Sequence, residues 1–190
     1  ADESILHDYD LEKDKYAILI ARAEPENSIL EVVTAFSKKE RGFKFIVLGN
    51  YEPDTNGYHQ SVFEEASSEV VFPGAIYDAE KIMSLRFYAR VYVHGHQVGG
   101  TNPSLIEALG AGNAVLAHDN LFNRWVAKDG ATYFSDIMSA SNAFDEVLNN
   151  DELIESLRSI SRDNFNTNFQ WDNILDQYEQ LLIRWLPEKI

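Results

Sequence analysis

The sequence predicts an α/β fold: a Rossmann-like, doubly wound parallel sheet of about six strands followed by C-terminal helices. Three observations carry this. From Tyr16 onward, short continuous apolar runs alternate with amphipathic runs of helical period. After Asp136 the pattern changes to helices alone. Glycines gather where a strand-like run gives way to a helix-like one, as at Gly95, Gly99 and Gly100, and there they allow the positive φ that a sharp turn needs.

The strand-like runs are Tyr16–Ala21, Phe43–Leu48, Glu69–Phe72, Arg90–Val93, Ala114–Ala117 and Ala131–Phe134. Their unbroken apolar character fits parallel strands buried on both faces. Between the first two, Ile29, Val32, Val33 and Phe36 follow the i, i+3, i+4, i+7 pattern of a helix with one buried face, and Tyr77–Ala89 and Pro103–Ala111 are the clearest later crossovers. Such alternation implies right-handed βαβ units, with a ligand site at the carboxyl ends of the strands. Ser139–Asn149 and Asp151–Asp163 read as two short helices. Trp171–Trp185 is longer, with Trp171, Ile174, Tyr178, Leu181, Leu182 and Trp185 forming an apolar stripe that packs on its own domain or reaches a domain outside this chain. The expected organisation is therefore one domain over 1–190, with an α/β core at 15–136 and helices at 137–190. No repeat, low-complexity tract or flexible linker interrupts it.

Composition narrows the function. The chain of 190 residues is 45% hydrophobic, enough for a sizeable core, and no stretch approaches the ~18 continuous apolar residues of a membrane span. A net charge of −15 disfavours broad electrostatic binding to nucleic acid or anionic membrane, so an anionic ligand must be held locally. The absence of cysteine removes disulfides, thiolate metal sites and a cysteine nucleophile, in keeping with a cytoplasmic address. The first residues, ADESILHDYDLEKDK, carry no initiator Met and no apolar signal segment, and the expectation is a piece of a longer protein.

The stretch 91–112, VYVHGHQVGGTNPSLIEALGAG, holds the best site. Asn102 is a good helix N-cap, Pro103 suits the first helical position, and Ser104 can satisfy a further donor. A free helix N-terminus is expected, whose unpaired amides around Gly100–Ser104 then favour a phosphate or carboxylate. On a helical wheel Leu105 and Leu109 share one face and Glu107 lies nearly opposite, on the side of Pro103 and Ser104. As an ordinary cap and an ordinary exposed acid the same residues would mean nothing, and the two readings stand about level on this motif alone. Arg22 leaves the carboxyl end of the first strand in ARAEPENSI, where its guanidinium could clamp phosphate oxygens or simply pair with Glu24 or Glu26. No Gly-x-Gly-x-x-Gly or Walker loop is present. His94 and His96 make a poor metal pair without a third ligand of suitable spacing, and no metal is expected; a hydrogen-bonding role at the strand end fits better.

Taken together, YAILIARAEPENSILEVVTAF, FIVLGN, VVFPGAIYDAEKI and PSLIEALGAGNAVLAHD resemble the C-terminal, nucleotide-sugar-binding half of glycosyltransferase family 4, retaining enzymes of the two-lobed GT-B architecture. The resemblance covers nearly the whole chain. It implies that Arg22 binds the donor pyrophosphate, that Asn27 stands where the family has a lysine, and that Glu107 holds ribose hydroxyls. The family's first acid falls on Gly99. Arg22 and Glu107 are then the residues on which catalysis rests, and Arg22, Asn27, His94, Gly99, Gly100, Thr101, Asn102, Pro103, Ser104 and Glu107 form the donor site.

The form HGHxVGGTNPSLxEAL after a PEN turn is similar to bacterial proteins of a rhamnosyltransferase subgroup, which implies a dTDP- or UDP-linked donor such as dTDP-rhamnose and a role in cell-surface polysaccharide synthesis. No cofactor is implied beyond that nucleotide sugar. A saccharide or lipid-linked saccharide acceptor is expected on an N-terminal domain outside this chain, through which the protein would sit peripherally at the inner membrane, and the isolated chain is expected to transfer little. A non-catalytic nucleotide-binding or protein-interaction module, and a GT-B-like epimerase or phosphorylase, remain open alternatives.

Overall fold

The computed structural model describes residues 1–185. The expected helical part therefore extends five residues, 186–190, beyond the described ones. In chain order the elements are β1 (Tyr16–Ile20), α1 (Ile29–Ser37), β2 (Lys44–Leu48), α2 (Gly57–Glu64), β3 (Val70–Val71), α3 (Ala79–Phe87), β4 (Val91–His94), α4 (Pro103–Gly110), β5 (Ala114–His118), α5 (Leu121–Ala127), β6 (Ala131–Phe134), α6 (Ile137–Asn149), α7 (Asp151–Asn168) and α8 (Trp171–Arg184). All strand pairings are parallel, in the order β3-β2-β1-β4-β5-β6. The order reverses between β1 and β4.

Side chains alternate across the strands, so each strand feeds two cores. Ala17, Leu19, Phe45, Val47, Val91, Val93, Ala114 and Leu116 join α1 and α6 on one face. Tyr16, Ile18, Ile46 and Tyr92 meet Leu85 of α3 and Ala108 of α4 on the other, where Val115 and Ala117 also meet Leu105 and Leu109. This is the doubly wound arrangement expected from the sequence.

Two helices escape the sequence pattern. In α2 only His59 and Val62 are buried, and α5 exposes Leu121, Phe122 and Trp125, so neither carries a clean apolar stripe. Their starts are fixed by side-chain caps instead: Asn56 accepts from the Tyr58 and His59 amides, and Asn120 from that of Asn123. At the C-terminus α8 forms over the expected residues, yet none of its side chains is buried. Trp171 is 74% exposed and Leu182 66%, so the stripe does not pack on its own domain.

Candidate functional site

The site lies at the reversal of strand order. Because β1 and β4 are neighbours while α1 and α4 leave to opposite faces, their loops diverge and open a crevice above the sheet's carboxyl edge. After β1 the chain passes Arg22, makes a short 3-10 turn over Pro25–Asn27, and enters α1 through Ser28 at φ 49. The loop after β4 is fastened to it: the Gln97 amide donates to the Glu26 carbonyl and Gln97 Nε2 to Ser28 Oγ, both at 2.9 Å. A side chain at Gly95 would put its Cβ 2.1 Å from the Asn27 carbonyl oxygen, so only glycine permits this approach. Asn120 and Asn123 each donate through Nδ2 to the His96 carbonyl at 2.9 Å, which ties in the loop after β5.

Arg22 stands free at this edge. Its side chain is 80% exposed, with only a 3.6 Å ion pair to Glu26. It lines a cavity of about 480 Å³ whose walls include Ile20, Leu48, Asn50, Tyr77 and Ile82. Asn50 Nδ2 donates to the Tyr77 hydroxyl at 3.2 Å, giving the apolar cavity a polar and aromatic rim. Neither Asn50 nor Tyr77 stood out in the sequence, since both lie in loops that only the fold brings to the mouth.

Asn27, expected beside Arg22, turns inward. It is 3% exposed and donates through Nδ2 to the Arg22 carbonyl at 2.9 Å, bracing the backbone that carries the guanidinium. His94 is likewise withdrawn at 1% exposure, and both its ring nitrogens are buried without a partner, as is Nδ1 of His96. Tyr92, His94 and His96 alternate along one face of the chain, and the two imidazoles stack with centroids 4.3 Å apart and planes 8° from parallel. Stacked rings do not converge on a shared metal, and no group of three or more His, Asp or Glu among the described residues is placed to hold one. Burial, helped by the neighbouring His96, pushes the His94 pKa down to about 3. Burial and then the charge of Arg22 lower that of His96.

The start of α4 corrects a second expectation. Asn102 satisfies the first turn itself: its Oδ1 accepts from the Ser104 amide at 3.0 Å and the Ser104 hydroxyl at 2.8 Å, and its carbonyl from the Leu105 and Ile106 amides at 3.2 Å. Pro103 has no N–H to offer. Just before the helix, the amides of Val98, Gly99, Gly100, Thr101 and Asn102 have no partner among the described residues, and Gly99 has φ 128. An anion would meet this loop and the helix dipole behind it.

Glu107 emerges opposite the buried Leu105 and Leu109, as the wheel predicts. Its Oε2 accepts from Arg86 Nη2 at 2.7 Å, a partner that looked like an ordinary crossover-helix residue in the sequence. Glu107 and Arg86 line a different cavity, of about 800 Å³, walled by apolar side chains including Met83, Phe87 and Trp171. Arg22 and Glu107 thus border separate hollows. Neighbouring residues of α3 line both, Ile82 the first and Met83 the second.

Residues 3–164 match the family profile described as glycosyl transferases group 1. The chain belongs to that family. No curated protein matches the sequence. Among solved structures, sucrose-phosphate synthase from Thermosynechococcus elongatus superposes with a TM-score of 0.79 at 18% identity, covering 95% of this chain and 48% of that one. The Anabaena protein HepE, solved in complex with UDP and glucose, gives 0.80 at 13%, covering 96% and 52%. The C-terminal domain of a Francisella tularensis group 1 glycosyl transferase gives 0.75 at 15%, covering 90% of this chain and 94% of that domain. At these identities the likeness is one of fold: this chain has the architecture of one GT-B half. It spans about half the length of the synthase and of HepE. No helix among the described residues is long and apolar enough to cross a membrane.

Proposed function

We propose that this chain is the donor-binding half of a glycosyltransferase and holds the diphosphate of a nucleotide sugar between Arg22 and the loop Gly99–Thr101. The observation that carries the reading is an exposed guanidinium and a run of unpartnered amides on facing loops of the strand-order reversal, in a chain of net charge −15. The 480 Å³ cavity beside Arg22 would take the base, against Tyr77 and Asn50; the contact of the ribose with Glu107 is what the resemblance implies. HepE's complex with UDP supports a ligand of this class on this fold.

The chemistry follows from charge. As the bond between the sugar carbon and the diphosphate oxygen breaks, negative charge grows on the leaving group. A fixed cation and preoriented amides stabilise that charge more than they do the ground state. The resemblance adds finer expectations: a dTDP-linked deoxysugar such as rhamnose, a retaining outcome without a metal, a saccharide acceptor on a second lobe, and a place in cell-surface polysaccharide synthesis.

The inward Asn27, the glycine at 99 and the uncovered stripe of α8 favour a second reading, a non-catalytic module that kept the fold. Titration with UDP-glucose and dTDP-rhamnose separates the two. Saturable heat for either donor supports the transferase half, whereas silence with both, together with capture of a partner through α8, supports the module.

A further inference from the structure

Arg86 occupies the last turn of α3 with its side chain 8% exposed. Its backbone is pinned by Asn113, whose Nδ2 donates to the Arg86 carbonyl at 2.8 Å, and its guanidinium sits 6.0 Å from the centre of the Tyr92 ring. The Tyr92 hydroxyl lies 3.5 Å from the carbonyl of Ile20, a residue that lines the cavity beside Arg22. Among the described residues Arg86 nonetheless makes a single side-chain ion pair, to Glu107, and its buried Nε has no partner.

Such a guanidinium is poorly placed to stabilise the fold. Leaving a buried donor unpaired costs free energy, and an apolar side chain of similar length would fill the same space beside Met83 and Phe87 without that cost. What an apolar residue would not do is hold Glu107. That carboxylate is 57% exposed on a helix surface, free to sample several rotamers unless an immobile donor selects one. The 2.7 Å bond takes Oε2 and leaves Oε1 uncommitted.

We propose that Arg86 is a positioning residue: it fixes the carboxylate of Glu107 so that Oε1 is presented to a ribose hydroxyl of the donor. The assignment rests on the donor-binding reading above. Ordering the acceptor before the ligand arrives reduces the entropy lost on binding. The planar, always-charged fork of arginine does this better than the mobile ammonium of lysine.

The test compares affinities for UDP and 2′,3′-dideoxy-UDP, and for dTDP and 3′-deoxy-dTDP, in the wild type and in Arg86→Met, Arg86→Lys and Glu107→Gln. The wild type should prefer the hydroxylated nucleotide by about 10-fold or more, the usual worth of a hydrogen bond to a charged group. Arg86→Met should lose most of that preference while binding the deoxy nucleotide as the wild type does and keeping or raising the thermal midpoint. Arg86→Lys should recover part of it. In a Glu107→Gln background, Arg86→Met should add nothing. An Arg86→Met protein that keeps the wild-type preference overturns the proposal and leaves the donor reading standing, as does equal weakening toward both nucleotides, which marks a merely structural role. A wild type that binds the two forms equally removes the ribose from Glu107 and the proposal with it. A wild type that binds neither removes the donor reading as well.

Discussion

Arg41 and Arg86 are both arginines buried beside a helix C-terminus, and the difference between them separates what holds this molecule together from what it uses. Arg41, its side chain 2% exposed, donates to the Phe36 and Ala35 carbonyls that end α1, to Ser141 Oγ at 2.9 Å and to Asp145 Oδ1 at 2.5 Å. Its guanidinium also lies 5.4 Å from the rings of Phe36 and Phe144, so it fastens α1 to α6 through a network that uses Nε and both Nη atoms. Arg86 meets one carboxylate, and its Nε is left bare. A saturated buried cation belongs to the scaffold. An unsaturated one, at the rim of a crevice, holds a group whose other half faces outward.

Arg41→Met should have the largest effect. It strips the donor from two helix carbonyls and Ser141 Oγ, while Asp145 keeps its pair with Lys39 at 2.9 Å, so a loss of about 2–4 kcal/mol is expected. Differential scanning calorimetry would show this as a fall in thermal midpoint on the order of 10 °C for a domain of this size. Nucleotide affinity of the folded fraction should not change.

Arg22→Ala should act the other way. Its side chain's one ion pair among the described residues is exposed and 3.6 Å long, worth little, so the midpoint should stay within about 1 °C. Affinity for a nucleoside diphosphate should fall about 10- to 100-fold, as for the loss of charge-assisted bonds. A melting curve and a binding isotherm on one preparation separate the two variants.

A smaller effect involves His94. Its folded pKa, near 3, lies below the unfolded value near 6.5, so between these values the unfolded chain binds the extra proton. The stability it contributes is complete above about pH 6.5 and is lost as the pH falls toward 3, at up to about 1.4 kcal/mol per pH unit. Denaturant unfolding across this window should show that slope, and His94→Phe should flatten it while raising stability at neutral pH, because buried, unpartnered nitrogens are exchanged for carbon. An unchanged slope would mean that water reaches the ring. The smallest effect is spectroscopic: Trp125, Trp171 and Trp185 are all exposed, so acrylamide should quench nearly all tryptophan emission from this chain.

The sheet was legible because parallel strands buried on both faces write themselves as short apolar runs, and each of the six expected runs overlaps an observed strand, β4 and β5 running one residue further, to His94 and His118. The α4 start was legible for a local reason, since Asn102, Pro103 and Ser104 fix a helix cap within a few residues. What stayed hidden depends on contacts across the chain. Nothing near Asn27 in sequence tells that its amide is needed to brace Arg22 once the loop after β4 has closed over the turn. Arg86 and Glu107 stand 21 residues apart on different helices, and only the packing of α3 beside α4 makes them a pair. His94 looked available as the last residue of a strand, yet the sheet edge there is covered, and its ring ends up beneath His96.

Whether an acidic domain carries a local anion trap is read from titration calorimetry with UDP and with uridine, in the wild type and Arg22→Ala. The wild type should bind UDP at least about 10-fold more tightly than uridine, and Arg22→Ala should remove most of this difference without weakening uridine. Equal affinity for uridine and UDP in the wild type, or an undiminished preference for UDP in Arg22→Ala, would contradict such a trap.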